Sequence, residues 1–230
     1  QYMNDITNHL IDFGYPRCEG NIMVSNPFWC KTVSEYKSET ARWIQAPDMQ
    51  NYMDLAIFFD SFAVAGDKDL LINLKDDLFN KLHDKDVFMA YFAKATLTFD
   101  TPNTIANFMT KSHNIDIKKA AVFPIVQGIR SLALREKIRE TTTVKRIKIL
   151  EEKKILERSK AAELLEAFDV VNTLRLKAQL DDIQDNKEVN NEIDTHTLGK
   201  IERDLLKDSF KIVIEFKKFI NYTFRIDKIS

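Results

Sequence analysis

The sequence has few of the residues that interrupt regular secondary structure. Its 230 residues include five glycines, five prolines and two cysteines, beside sixteen phenylalanines. A β-sandwich or barrel needs a turn after almost every strand, so this scarcity of glycine and proline predicts long helices instead. Cys18 and Cys30 are too few for a disulfide framework, and a reducing cytoplasm is the expected location.

The chain also lacks an excess of either charge and a long apolar run. With 34 Lys+Arg against 35 Asp+Glu, the net charge of the chain is -1. We therefore expect no nucleic-acid partner and no binding to an anionic membrane surface. Nothing in the given sequence resembles a signal peptide or an apolar span of about 18 residues. The densest charge, from Arg135 to Lys160, has no interleaved aromatic residues and is predicted to be a solvated face.

Apolar residues recur at helical spacing through most of the chain. Helices are predicted over residues 2–13, 32–45, 70–82, 85–97, 120–138, 164–183 and 201–219. Asp67 follows Gly66 just before the third of these helices and is expected to cap its N-terminus. The run from Leu55 to Phe59 instead alternates as a β-strand does. A short hairpin over residues 108–117 is the one later β signal.

The chain is therefore predicted to be α+β and mainly α. Residues 1–66 would form a small α/β portion, the C-terminal part of an incomplete domain, and residues 67–230 a helical bundle. Two strands or fewer are marginal as a sheet, and Tyr2 already stands in a helical pattern with no cap before it. We therefore expect the missing strands upstream of Gln1, in a longer polypeptide.

Asp60 is the first candidate for a functional side chain. It stands at the C-terminal end of the predicted strand, where the sites of sheet proteins tend to gather. A strand-end aspartate that caps a turn is the alternative. A zinc site built from His9, Cys18, Cys30 and His83 is not expected, because their spacing matches no compact ligand motif.

Two motif blocks and a set of downstream positions resemble a known family. The blocks read Gly14-Tyr15-Pro16-x-Cys18-x-Gly20-x-x-Met23-x-x-Asn26-Pro27-x-Trp29 and Phe58-Phe59-Asp60-x-x-x-Val64-x-Gly66-Asp67. The downstream positions are Pro124-Ile125-Val126, Arg130, Thr143, Arg146 and Leu174-Arg175-Leu176. They resemble the nucleotidyltransferases that are often fused to CBS or cyclic-nucleotide-binding domains, distant relatives of the protein uridylyltransferase of nitrogen signalling. The resemblance covers essentially the whole chain.

The resemblance implies a nucleotidyltransferase-fold domain followed by a helical substrate-binding domain, with a nucleoside triphosphate between them. Such enzymes transfer a nucleoside monophosphate to a hydroxyl of a protein or small-molecule acceptor, with Mg²⁺ held on a carboxylate triad. Asp60 would be the third carboxylate, a metal ligand and a catalytic residue that helps to deprotonate the acceptor. The family's Gly-Ser turn and Asp-x-Asp pair would precede Gln1, so the chain alone is predicted to be inactive.

Five further residues are predicted to contact the substrate: Asn26, Lys118, Arg130, Arg146 and Arg175. The middle three fall on family positions in the bundle, where cations would bind phosphate groups. The first lies in a loop that would cover the nucleotide or the acceptor, and an ordered connection is the alternative for that loop. The last has Gln179 one turn away, and an interhelical hydrogen-bond pair is its alternative role.

Phe62 marks a departure from the family, which usually has an arginine two residues after the strand carboxylate. Loss of that cation weakens any contact to a phosphate or to a neighbouring carboxylate. The second interpretation is therefore a non-catalytic regulatory or interaction module that senses a nucleotide within a signal-transduction protein. In either case we expect an upstream nucleotidyltransferase segment and regulatory domains in the full-length chain.

Overall fold

The computed structural model describes residues 2–102 and 114–229, and α-helices dominate it. The described α-helices are α1 (Tyr2–Asp12), α2 (Val33–Gln45), α3 (Met49–Asp60), α4 (Lys68–Lys81), α5 (Asp86–Lys94), α6 (Phe123–Arg135), α7 (Thr143–Glu152), α8 (Arg158–Gln184) and α9 (Lys200–Phe224). Within these ranges no helix is both long enough and apolar enough to cross a membrane. The predicted mainly α fold with a small β part is confirmed.

The run from Leu55 to Phe59 is helical, so the strand predicted there is wrong. It forms the second half of α3, whose start is fixed by Asp48: its carboxylate accepts a hydrogen bond from the Asn51 N–H at 2.7 Å. Leu55, Phe58 and Phe59 are then buried together on one helical face. A short apolar run fits a buried strand and a buried helix equally well, and here the cap and the packing decide for the helix.

The β part lies in the C-terminal portion and not within residues 1–66. Strand β1 (Asn114–Asp116) pairs antiparallel with β2 (Glu192–Asp194), with Ile115 opposite Ile193. The predicted hairpin over residues 108–117 lies mostly outside the described residues, and the described strand pairs with a distant segment instead. Both isoleucines are buried, and β2 packs on α8, which supports a ribbon too small to be stable alone.

The cap predicted at Asp67 is confirmed. Its carboxylate accepts a hydrogen bond from the Asp69 N–H at 2.9 Å, at the start of α4. The predicted division of the chain at residue 66 stays a prediction. Side chains from both sides of it share one hydrophobic core, as where the rings of Phe59 and Phe79 lie 6.1 Å apart.

Helix α6 lies at the centre of the bundle, in contact with α5, α7 and α9. Ile125 and Ile129 are fully buried on it. Gly128 lies where α9 crosses α6: a Cβ built there would be 2.5 Å from Cε1 of Phe216 and 3.1 Å from Cγ1 of Ile220. The missing side chain is therefore what allows the two helices to approach this closely.

We expect Gly128→Ala to destabilise the fold. The added methyl would force the buried ring of Phe216 to shift, at a cost of about 3 kcal/mol. Alanine regains about 1 kcal/mol of helix propensity, which leaves a net loss of about 2 kcal/mol. Urea unfolding followed by circular dichroism would measure this loss.

Gly20→Ala is the matched control, because a Cβ there would meet side-chain atoms of Ile22 and Cys18 at ordinary contact distances, 3.6 Å and beyond. The free energy of unfolding of this variant should stay close to that of the parent chain. Equal stability of the two variants would contradict the close approach of α6 and α9.

Candidate functional site

The carboxylate of Asp60, the last residue of α3, is held between two arginines from other helices. Its Oδ2 accepts hydrogen bonds from Nε and Nη2 of Arg130 on α6, at 2.8 and 2.6 Å. Its Oδ1 lies 2.7 Å from Nη1 of Arg146 on α7. Three residues predicted from the sequence as site residues are thus in direct contact, and they join the C-terminal end of α3 to α6 and α7.

Arg146 is the most deeply buried cation of this group, with 1% of its surface exposed. Its Nε donates to the backbone carbonyl of Glu140 at 2.6 Å, and its guanidinium lies 4.5 Å from the ring centre of Phe59. Burial lowers its pKa, and the neighbouring Asp60 acts in the opposite direction. Its buried Nη2 has no hydrogen-bond partner among the described residues.

Arg130 is oriented by a short chain of hydrogen bonds. Its Nη1 donates to Oε1 of Gln127 at 2.6 Å, and Nε2 of Gln127 donates to the backbone carbonyl of Phe92 at 3.0 Å. The glutamine is buried, so its amide is held in one orientation. The guanidinium plane is therefore fixed from both sides, by the amide and by Asp60.

Lys75 on α4 completes the group, and only 3% of its surface is exposed. Its Nζ donates to the backbone carbonyl of Ser61 at 2.6 Å and lies 5.7 Å from the ring centre of Phe59. Burial, with repulsion from Arg146 as the next cause, lowers its pKa to about 8. We refer to Asp60, Lys75, Arg130 and Arg146 as the Asp60 cluster.

Two cavities lie beside the Asp60 cluster, and each shares one residue with it. The first, of about 660 Å³, lies among α3, α5 and α6 and is lined by Tyr52, Met53, Tyr91, Phe92, Gln127 and Arg130, among others. The second, of about 400 Å³, is lined by Ser61, Phe62, Lys68, Lys75, Arg139 and Glu140, among others. The cluster thus contributes a cation to an aromatic cavity and another to a cavity with both charged and apolar residues in its lining.

The other predicted site residues lie elsewhere. Asn26 caps a short 3₁₀ turn by accepting from the Phe28 N–H at 3.0 Å, as an ordered connection would. Lys118 is exposed at the start of a π-helical turn. On α8, Nε of Arg175 donates to Oδ1 of Asn191 at 2.8 Å, next to β2. Their predicted substrate contacts stay predictions.

Sequence reasoning missed Lys75 and Gln127. A signal for the first exists: Leu71, Lys75 and Leu78 follow one another at helical spacing, so the lysine falls on the apolar face of α4. A charged residue on such a face needs a polar partner inside the fold. The predicted solvated face from residue 135 to residue 160 also has a buried exception, Arg146.

The described residues do not by themselves fit a divalent metal. No three His, Cys, Asp or Glu side chains among them lie close enough together to hold one. Asp60 is the one carboxylate of the cluster, and both of its oxygens face guanidinium groups that a metal would have to displace. The metal role of Asp60 and the choice of Mg²⁺ stay predictions, because such a site needs carboxylates from outside the described residues.

Residues 86–224 match the family model described as "Putative nucleotidyltransferase substrate binding domain", over more than half of the chain. The chain belongs to this family. Residues 1–50 match a second family model, described as "Putative nucleotidyltransferase DUF294". No curated protein and no solved structure matches the chain.

Family membership confirms the resemblance drawn from the motifs. At the level of the family it associates the chain with nucleotidyl transfer, with a nucleotide substrate and, in general, with a divalent metal. Arg130 and Arg146 lie inside the matched substrate-binding domain, whereas Asp60 and Lys75 lie between the two matched ranges. Fusion to CBS domains, a signalling role and a cytoplasmic location stay predictions.

We expect Asp60→Asn to destabilise the chain strongly. The substitution leaves Arg130 and the buried Arg146 without their counter-charge, and breaking a buried ion pair costs about 3–5 kcal/mol. Asp76→Asn is the matched control, because Asp76 also pairs with an arginine, Arg139, but on the surface. That change should cost about 0–1 kcal/mol. Equal losses in denaturant unfolding would contradict the role of Asp60.

The lowered pKa of Lys75 predicts a pH-dependent stability. Its folded pKa of about 8 lies below the ordinary value of about 10.4, so the unfolded chain binds more protons between these values. The parent chain should therefore gain up to about 3 kcal/mol relative to Lys75→Met as pH rises through this window. Paired unfolding curves at several pH values would measure this, and a constant difference would contradict it.

Proposed function

We propose that this chain binds the nucleoside triphosphate of a nucleotidyl transfer reaction, with the base in the first cavity and the phosphates toward Arg130. The first cavity carries the proposal. Its volume of about 660 Å³ is in the range of small-molecule sites. Its walls are mainly aromatic and apolar, and its polar groups include a fixed amide and a fixed guanidinium.

Aromatic side chains supply the part of the cavity that suits a base. Tyr52, Tyr91, Phe92 and Phe123 all line it, and flat rings stack on nucleobases without requiring a particular one. Burial is the main cause that raises the pKa of Tyr52 to about 12, and a tyrosine hydroxyl is protonated at neutral pH even at its ordinary pKa of about 10. It is therefore available as a hydrogen-bond donor to a base or a ribose.

Arg130 supplies the part that suits phosphate. Its hydrogen bonds to Asp60 and Gln127 use three of the five N–H groups of a guanidinium, which leaves two for an anion. Lys94, which also lines the cavity, adds a second positive charge. In this arrangement Asp60 is a positioning residue, since its carboxylate fixes the plane of the arginine that would bind phosphate.

The proposed reaction joins the nucleotide to a hydroxyl of a protein or small-molecule acceptor. The acceptor hydroxyl loses its proton to a carboxylate as its oxygen bonds to the α-phosphorus, the bond to the bridging oxygen breaks, and pyrophosphate leaves. Residues of this chain would bind the base and orient the phosphates, and Asp60 would keep the Arg130 guanidinium in place. The catalytic carboxylates, with the divalent ion that they would hold, are expected from an upstream segment, so the chain alone should bind without transferring.

The second candidate is a nucleotide sensor without catalysis. Two observations favour it: both oxygens of Asp60 are occupied by arginines, and Phe62 lies 70% exposed where the family usually has a cation. A longer chain that includes the upstream segment would separate the two candidates. Release of pyrophosphate on incubation with nucleoside triphosphate and a divalent ion would favour the enzyme, and binding without release the sensor.

The binding proposal is tested by calorimetric titration of the chain with each of the four nucleoside triphosphates. We expect saturable binding of at least one of them. Met53→Glu should weaken it about tenfold, because the new carboxylate at the cavity repels the phosphates and removes apolar contact. Met53 is half exposed, so the fold should tolerate this change.

Leu176→Glu is the control, because this leucine is 58% exposed within a helix and does not line the first cavity. Its binding isotherm should match that of the parent chain. Failure of all four triphosphates to bind, or identical affinities for the two glutamate variants, would overturn the proposal.

A further inference from the structure

The charges of the Asp60 cluster do not balance. Lys75, Arg130 and Arg146 carry three positive charges against the single negative charge of Asp60, which leaves a net charge of +2 in a largely buried place. Uncompensated charge away from water is costly, so such a cluster attracts an anion. Of the three cations Lys75 lines the second cavity, and its position there does not depend on the proposed binding of a base in the first.

Neighbouring charges do not remove the imbalance. Arg139 pairs with Asp76, and Lys145 lies 3.5 Å from the carboxylate of Glu140. That carboxylate also accepts hydrogen bonds from the backbone N–H groups of residues 141 and 142, at 2.8 and 3.1 Å. The two acidic groups near the cavity are therefore already matched by partners of their own.

The second cavity gives an anion access to Lys75 of the cluster. Residues 61–63 form one wall, residues 139–141 form another, and α4 contributes Lys68, Leu71, Ile72 and Lys75. The ammonium of Lys75 has three hydrogens, and the described residues give it one hydrogen-bond acceptor, the carbonyl of Ser61. The second cavity has a volume of about 400 Å³, which is large enough for a small polyanion.

We propose that the second cavity binds an oxyanion of the phosphate class, with Lys75 as its central cation and Lys68 beside it. A phosphate group fits better than a carboxylate because its oxygens point in several directions and can meet several cations at once. Free pyrophosphate and the phosphate tail of a larger ligand share this chemistry.

The test is calorimetric titration with inorganic pyrophosphate near neutral pH. The parent chain should bind it saturably, at one site. Lys75→Gln keeps a donor for the Ser61 carbonyl but removes the charge, and should weaken binding about tenfold. Lys75→Arg should restore most of the affinity. Absence of saturable binding, or an unchanged affinity of the glutamine variant, would overturn the proposal.

Lys81→Gln is the matched control, because Lys81 lies on the same helix and also donates to a backbone carbonyl, that of Lys37, at 2.6 Å. It does not line the second cavity, and its variant should bind pyrophosphate like the parent chain. Should Lys75→Gln fail to fold, the exposed Lys68→Gln replaces it with an expected loss of about threefold. An unchanged affinity in Lys68→Gln would then count against the site.

Two further measurements identify the source of the phosphate group and distinguish failure of this proposal from failure of the nucleotide proposal. Competition by a nucleoside triphosphate, but not by the nucleoside, would identify the tail of a larger ligand; pyrophosphate binding without such competition would identify a separate small anion. Met53→Glu should leave pyrophosphate binding unchanged. Pyrophosphate binding in a chain that binds no nucleotide would support this site and reject the nucleotide in the first cavity.

Discussion

The structure depends on one carboxylate placed between two guanidinium groups. Arg146 is almost fully buried, and a buried guanidinium is tolerated only beside a negative charge. Asp60 supplies that charge from the end of α3, and Arg130 on α6 shares it. The C-terminal end of α3 is therefore held at a fixed distance from α6 and α7, and the walls of both cavities follow from this.

The Asp60 cluster also explains why two cavities of different character lie so close together. On one side, Arg130 meets the aromatic side chains of α3 and α5; on the other, Lys75 meets the polar lining around residues 139–141. A nucleotide has the same division between a flat apolar base and a charged tail. Membership of a family of nucleotidyltransferase substrate-binding domains agrees with such a two-part surface.

Much of the fold could be predicted from the sequence, because helical periodicity is repeated over many residues. The seven predicted helices correspond to described ones, and the cap at Asp67 followed from its place after Gly66. The strand at Leu55 to Phe59 was wrong because five apolar residues are too few to distinguish a period of two from one of 3.6. The pairing of β1 with β2 joins segments far apart in the chain, and no local pattern contains it.

The site was predictable in part. Asp60, Arg130 and Arg146 came from their positions in the family motifs, and the structure brings all three together. Their mutual ion pairing could not be predicted, because it depends on how three helices pack. Arg146 stands in a stretch whose composition is that of a solvated surface, and composition does not reveal which one of many charges faces inward.

Gly128 has a consequence for this site that reaches beyond stability. It stands between Gln127 and Arg130 on α6, and it lets Phe216 of α9 lie directly against the helix backbone. Successive residues point about 100° apart around a helix, so the seating of α9 fixes the rotation of α6 and with it the direction of both polar side chains. The packing of α9 against α6 therefore helps to set the direction in which Arg130 meets the first cavity.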